Sequence, residues 1–136
     1  LLNLINNKHI PKIYLESSIE DRKALLAGII DSDGATGTTY GRIDNGIKNY
    51  CWELTLKLEN LIDDVETLCK SLGMFTYRTE RKCRAVKKDG NHSEYKTYYR
   101  IKITPYNNYD IPLKIERKKI CNDILDRNFL PFIKSV

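Results

Sequence analysis

Leu25-Leu26-Ala27-Gly28-Ile29-Ile30-Asp31-Ser32-Asp33-Gly34 is the stretch whose reading decides the fold. An apolar helical run closes in two carboxylates and a glycine. Ala24, Ala27, Gly28 and Asp31 recur at i, i+3, i+4 and i+7, so small residues share one side of that helix and admit a second backbone close by. Gly28 costs the helix about 1 kcal/mol relative to alanine, which asks for a reason. Asp31 and Asp33 stand at the helix C-terminus, where the dipole is negative and carboxylates are unfavourable. Gly34 is expected to supply a left-handed stop. Close packing combined with acids at the unfavourable end points to a place where a cation is wanted.

A bland buried helix followed by an Asp-Gly turn accounts for a D-x-D-G on its own. An EF-hand loop does not fit, because the glycine arrives two positions early and Arg42 stands where a bidentate glutamate belongs. The whole block resembles the signature of the LAGLIDADG homing endonucleases. Leu26 through Gly34 departs from it by Ile for Leu and Ser for Ala.

Outward toward the N-terminus, Ser17-Ser18 followed by Glu20 and Asp21 reads as a capping box that starts this helix. Residues 1–16 form a linker in which Pro11 prevents a continuous helix. Toward the C-terminus, a loop from Gly34 to Gly41 leads into a strand ending near Ile43, and Asp44-Asn45-Gly46 reads as a hairpin turn. On the return strand Trp52, Leu54, Leu56 and Leu58 alternate with Glu53, Thr55, Lys57 and Glu59. Asn60 with Asp63 is expected to cap a second helix with Leu61, Val65, Leu68 and Leu72 inward, ended by Gly73. A second hairpin, Met74–Val86 and Ser93–Thr104, turns at Lys87-Lys88-Asp89-Gly90-Asn91. Its second arm presents Tyr95, Thr97, Tyr99, Ile101 and Ile103 on one face and Glu94, Lys96, Tyr98, Arg100 and Lys102 on the other. In its first arm Arg78, Lys82 and Arg84 share a parity. A last helix is expected from about Arg117 to Asn128, closed by Pro131.

The element order is αββαββα. Amphipathic helices and alternating strands pack economically as an α+β fold, a four-stranded antiparallel sheet with helices on its apolar face. The resemblance implies the same order and a saddle-like sheet, so the chain reads as a single repeat over 1–136, with its core at 17–136.

At 136 residues and 41% hydrophobic content the chain carries a real core, and no run approaches the ~20 apolar residues of a membrane span. It opens on leucine, so a fragment, a processed product or a trimmed chain is expected, and it ends without a His-Asn pair, so no splicing apparatus is expected. Four scattered cysteines (Cys51, Cys69, Cys83, Cys121) and two histidines argue against a zinc site and for a reduced, intracellular setting, cytoplasm or nucleus. The net charge of +5 permits a polyanionic partner. Its distribution is more telling: from Arg78 to Lys102 nine Lys/Arg face three acids.

Hydrolysis of a phosphodiester needs a metal and a cation to offset developing charge. By resemblance Asp33 is the metal ligand, assisted by the Ser32 carbonyl, with Mg²⁺ as cofactor and Mn²⁺ as a substitute, while Asp31 shapes the helix end. Lys8-His9-Ile10-Pro11 resembles the K-x-I-P block preceding the second motif of intein-embedded endonucleases, which implies a catalytic role for Lys8. Tyr109-Asp110-Ile111-Pro112 echoes that block without its lysine. The second basic group then falls to Lys102 or Lys114, with Lys118 less favoured. A polar sheet face fits the DNA major groove, and Arg78, Lys82, Arg84, Lys96, Tyr98, Arg100 and Lys102 are its expected DNA contacts. Ala24, Ala27, Gly28 and Asp31 are the expected helix interface of a homodimer or of a pairing with a first repeat. The functional expectation is a site-specific homing endonuclease cutting both strands of duplex DNA. The alternative is an inactive DNA- or RNA-binding relative, maturase-like or a decayed intein nuclease.

Overall fold

The computed structural model describes residues 8–38, 50–105 and 111–120. Helix α1 (Lys12–Leu15) follows Pro11, and α2 (Ile19–Asp33) carries the acidic stretch. Strand β1 (Ala35–Thr38), β2 (Tyr50–Leu56), helix α3 (Glu59–Ser71), and strands β3 (Phe75–Cys83) and β4 (Lys96–Thr104) follow, then a 3₁₀ turn at Glu116–Lys118. The strands form one antiparallel sheet in the order β1-β2-β4-β3.

Helix α2 starts as its composition dictates. Ser18 Oγ accepts the Asp21 amide at 3.2 Å, and Glu20 and Asp21 face the positive end of the dipole. Leu26, Ala27 and Ile30 are buried, whereas Ala24 and Gly28 are exposed. The small-residue stripe is therefore divided, with Ala27 in the chain's own core. Gly34 is not left-handed. Its φ of −83° and ψ of 158° are extended, and what the position demands is the missing Cβ, which would lie 2.8 Å from the Ile30 carbonyl oxygen. The chain thus turns straight from helix into β1, earlier than the strand expected to end near Ile43. The Asp44-Asn45-Gly46 turn lies outside the described residues.

Pairing sets the faces of the sheet. Trp52 opposes Ile103 and Leu54 opposes Ile101, and all four are buried beneath α2 and α3 with Leu26, Ile30, Ile62, Val65 and Leu68. Each such side chain contributes about 1.5–3 kcal/mol by leaving water. Helix α3 begins one residue before Asn60 and has no side-chain cap, so Asn60 is free for another task described below. Ile62 takes the inward position expected of Leu61, which is only partly buried. Gly73, at φ 77°, ends α3 as expected. The β3–β4 hairpin turns through Gly90 at φ 85°, with the Asn91 amide donating to Asp89 Oδ1 at 3.0 Å. Tyr95, expected inward, is 63% exposed because it precedes the paired part of β4.

The last helix is not found at its expected start. Residues Glu116–Lys118 make a single 3₁₀ turn, Lys119 and Ile120 are non-helical, and 121–136 lie outside the described residues. The reason is tertiary. The buried Trp52 indole donates to the Lys118 carbonyl at 2.7 Å, occupying an acceptor that a continuing helix would use internally.

Candidate active site and polar sheet face

Two carboxylates at one helix end must be reconciled with its dipole, and the fold treats them oppositely. Asp31 accepts the backbone amides of Lys114 at 2.9 Å and Ile115 at 3.2 Å. The Lys114 amide holds the Asp31 carboxyl below its ordinary value against a smaller opposing effect of burial, aided by the Ile115 amide and the charges of Lys118 and Lys114. Lys118, 6% exposed, donates its ammonium to the Ile30 carbonyl at 2.9 Å and the Asp31 carbonyl at 2.7 Å. A cation thus caps the C-terminal carbonyls and offsets the negative end of the helix. Trp52 holds the same lysine by its carbonyl.

Asp33 is left outside this arrangement. It is exposed, and among the described residues its carboxylate has no hydrogen-bond or ion-pair partner. It borders two clefts. One of about 370 Å³ is lined by Ser32, Asp33, Gly34, Ala35, Thr36, Arg117 and Lys118. The other, about 600 Å³, is lined by Lys8, Asp33, Thr55, Leu56, Lys57, Leu58 and Leu61. Lys8 reaches the second cleft because helix α3 holds the segment around it. Asp64 Oδ2 accepts the Ile10 amide at 2.9 Å, and Asn60 Nδ2 donates to the Lys8 carbonyl at 3.4 Å. The structure therefore places Asp33 between two clefts, with Ser32 and Lys118 lining one and Lys8 the other. Lys102 lines neither cleft; it is 8% exposed on the polar face and pairs with Glu53 at 3.1 Å.

Among the described residues no three His, Cys, Asp or Glu side chains cluster as metal ligands. Cys51 and Cys69 are buried, and burial pushes the Cys69 thiol up to about 12, so neither is a ready thiolate. A metal at Asp33 would rely on one carboxylate, the Ser32 carbonyl, water and substrate oxygens. That donor set suits a hard oxygen-seeking cation such as Mg²⁺ and not Zn²⁺.

The other sheet face is polar, exposed at Thr55, Tyr77 and Arg81 and buried at Cys51 and Lys102. Register aligns Thr55, Arg100 and Thr79 in one row and Glu53, Lys102 and Tyr77 in the next, followed by Tyr98 beside Arg81 and Lys96 beside Cys83. Arg78, Lys82 and Arg84 have the opposite parity. Arg78 lies opposite Ile101 on the helix-covered face, where it pairs with Glu59 at 3.2 Å and with Asp63 and stacks 5.2 Å from the Tyr99 ring. The hydrogen bond that Arg78 donates to the Asp63 carboxylate raises its already high pKa. Lys82 is exposed, and Arg84 lies past the strand end over Tyr95 at 4.8 Å. Tyr77, Thr79 and Arg81 thus share the face of Arg100 in their place.

Sequence comparison adds an independent line. The model of the family described as Homing endonuclease matches residues 9–121. The chain belongs to the homing endonuclease family. It is also 35% identical over 86 residues to a protein named replicative DNA helicase DnaB from Mycobacterium intracellulare. That alignment covers 63% of this chain and 13% of the relative, so the chain spans a small part of the curated protein it matches.

For this homing endonuclease domain, sequence reasoning missed Asn60 and Asp64 as the residues that seat Lys8, and Tyr77, Thr79 and Arg81 as sheet-face residues. The first pair carries no signal, since both look like helix-start residues. The second set was legible only through the register, because the strand alternates too weakly to declare its own faces. No helix among the described residues is long and apolar enough to cross a membrane.

Proposed function

We propose that the chain is one LAGLIDADG repeat of a site-specific homing endonuclease, working as a homodimer or beside a first repeat to cut both strands of duplex DNA by metal-dependent hydrolysis. The observation that carries this reading is the asymmetry at the end of α2: Asp31 is consumed by backbone amides, while Asp33 stays exposed between two lysine-bearing clefts.

In this reading Asp33 and the Ser32 carbonyl hold Mg²⁺ or Mn²⁺. When bound, the metal supplies Lewis acidity toward the scissile phosphate and an activated water. Lys8, exposed at the lip of its cleft, offsets phosphate charge directly. Lys118 acts from behind, since its ammonium already serves two carbonyls of the helix end. We assign the basic positions to these two lysines over Lys102, whose charge is engaged by Glu53. The polar sheet face, with Lys96, Tyr98, Arg100 and Arg81, is the DNA surface.

A partner is supported by Gly28. A Cβ there would meet nothing within 4 Å among the described residues, so none of these requires the glycine, whereas an opposing helix would. The exposed Ala24 continues that surface. Similarity to a small part of a helicase suits a nuclease repeat carried as an intein-type insertion, and helicase activity is not transferred to this chain.

The test is to recover duplexes that the protein retains from a randomised pool, clone one into a supercoiled plasmid, and incubate with Mg²⁺. Linearisation by the wild type and its loss in Asp33→Asn, with retention of binding, supports the nuclease. Retention without any cutting supports the maturase-like or decayed alternative.

A further inference from the structure

We infer that Asp64 is a positioning residue for the proposed cleavage: through the Ile10 backbone it fixes where Lys8 stands in the cleft beside Asp33; this rests on the nuclease reading above. Lys8 has little of its own to hold it. Its side chain is exposed, its backbone belongs to no helix or strand, and Pro11 has no amide to offer a neighbour. Two residues on, the chain is fixed. Ile10 is 7% exposed and belongs to the core cluster that includes Leu26, Ile62 and Val65. Burying Ile10 takes its amide out of water, which is costly unless an acceptor meets it. Asp64 Oδ2 does so at 2.9 Å, across 54 residues of chain. Asn60 Nδ2 adds a looser contact to the Lys8 carbonyl at 3.4 Å, so the backbone is held on both sides of His9.

Helix α3 grips the sheet with the residues next in line. Glu59 and Asp63, each one position before Asn60 and Asp64, pair with Arg78 on β3. Leu61, between the two anchors, lines the Lys8 cleft itself. Helix α3 is thus a frame that ties Lys8 to the strands, with Asp64 as the main point of attachment. A reacting group displaced by about 1 Å costs roughly a hundredfold in rate. A purely structural Asp64 would lower stability and leave the rate of the folded protein unchanged. A positioning Asp64 lowers that rate, and does so through Lys8.

The experiment measures single-turnover cutting and binding of the selected duplex, well below the thermal transition of each variant. Asp64→Ala should cut roughly ten- to a hundredfold more slowly at unchanged affinity, and its Ile10 amide should exchange faster with solvent by NMR. Asp64→Asn keeps an acceptor oxygen and should recover most of the rate. Lys8→Ala should cut slowly on its own, and adding Asp64→Ala should slow it no further. If Asp64→Ala loses the Ile10 protection yet cuts at the wild-type rate, the inference falls while the nuclease reading stands. If the double variant loses the full product of the two single losses, Asp64 acts apart from Lys8 and the inference falls as well. Should Asp64→Ala not fold, Asn60→Ala decides, because it loosens the same anchor from an exposed position; a smaller slowing supports the inference and an unchanged rate overturns it. If the wild type cuts nothing, the nuclease reading falls and takes the inference with it.

Discussion

Asp33→Asn should make the chain more stable and, in an active assembly, unable to cut. Asp33 is the last residue of α2, exposed and without an internal partner among the described residues. A carboxylate at the negative end of a helix is unfavourable by about 0.3–1 kcal/mol, and asparagine removes the charge while keeping the shape. The expected gain is about 0.5 kcal/mol, or a rise of about 2 °C in melting temperature for a domain of this size. The same change at Asp31 should do the opposite, because two backbone amides would lose a charged acceptor. Calorimetry at low salt measures both, and plasmid linearisation in Mg²⁺ measures cutting. If Asp33→Asn melts below the wild type, the carboxylate has a structural partner and the reasoning about the two acids is refuted. If it melts higher but still cuts, the metal ligand is elsewhere.

Asp31 also predicts a pH dependence. Its folded pKa lies below the ordinary 3.8, so the stability it contributes is present above that value and is lost as pH falls through the lower folded pKa. Urea titrations of wild type and Asp31→Asn should differ by a constant margin from pH 7 to about 5, a margin that closes as pH falls below about 4. Trp52→Phe removes the donor to the buried Lys118 carbonyl and should cost about 2 kcal/mol in urea unfolding; a loss under 0.5 kcal/mol would show the clamp to be incidental. Gly28→Ala should stabilise the monomeric chain by about 1 kcal/mol and weaken self-association in sedimentation, since the added methyl meets nothing among the described residues but faces the proposed partner. A destabilised monomer would contradict that placement.

The stretch from Ser18 to Gly34 carried its own structure in its residue pattern. A serine cap, acids in the first turn and an apolar run specify α2 locally, and the alternation of Trp52 to Leu56 specifies a strand with one wet face. The Gly90 turn and the Gly73 helix stop are likewise local, set by the backbone freedom those positions require. Asp33 was identifiable because a carboxylate at that helix end has no local justification.

What the chain around Asp33 would do was not local. Lys118 reaches the end of α2 from 87 residues away, and no spacing rule favours it over Lys102 or Lys114. Arg78 was assigned to the wrong face because β3 is exposed on both sides along much of its length, so only pairing with Ile101 settles its direction. Sequence by itself determined α2, α3 and the strands β2 to β4, because periodicity and caps act within a few residues. Tertiary structure decided which cations stand beside that acid and which side of the sheet is left polar, because hydrogen bonds and strand register join residues that the chain keeps far apart.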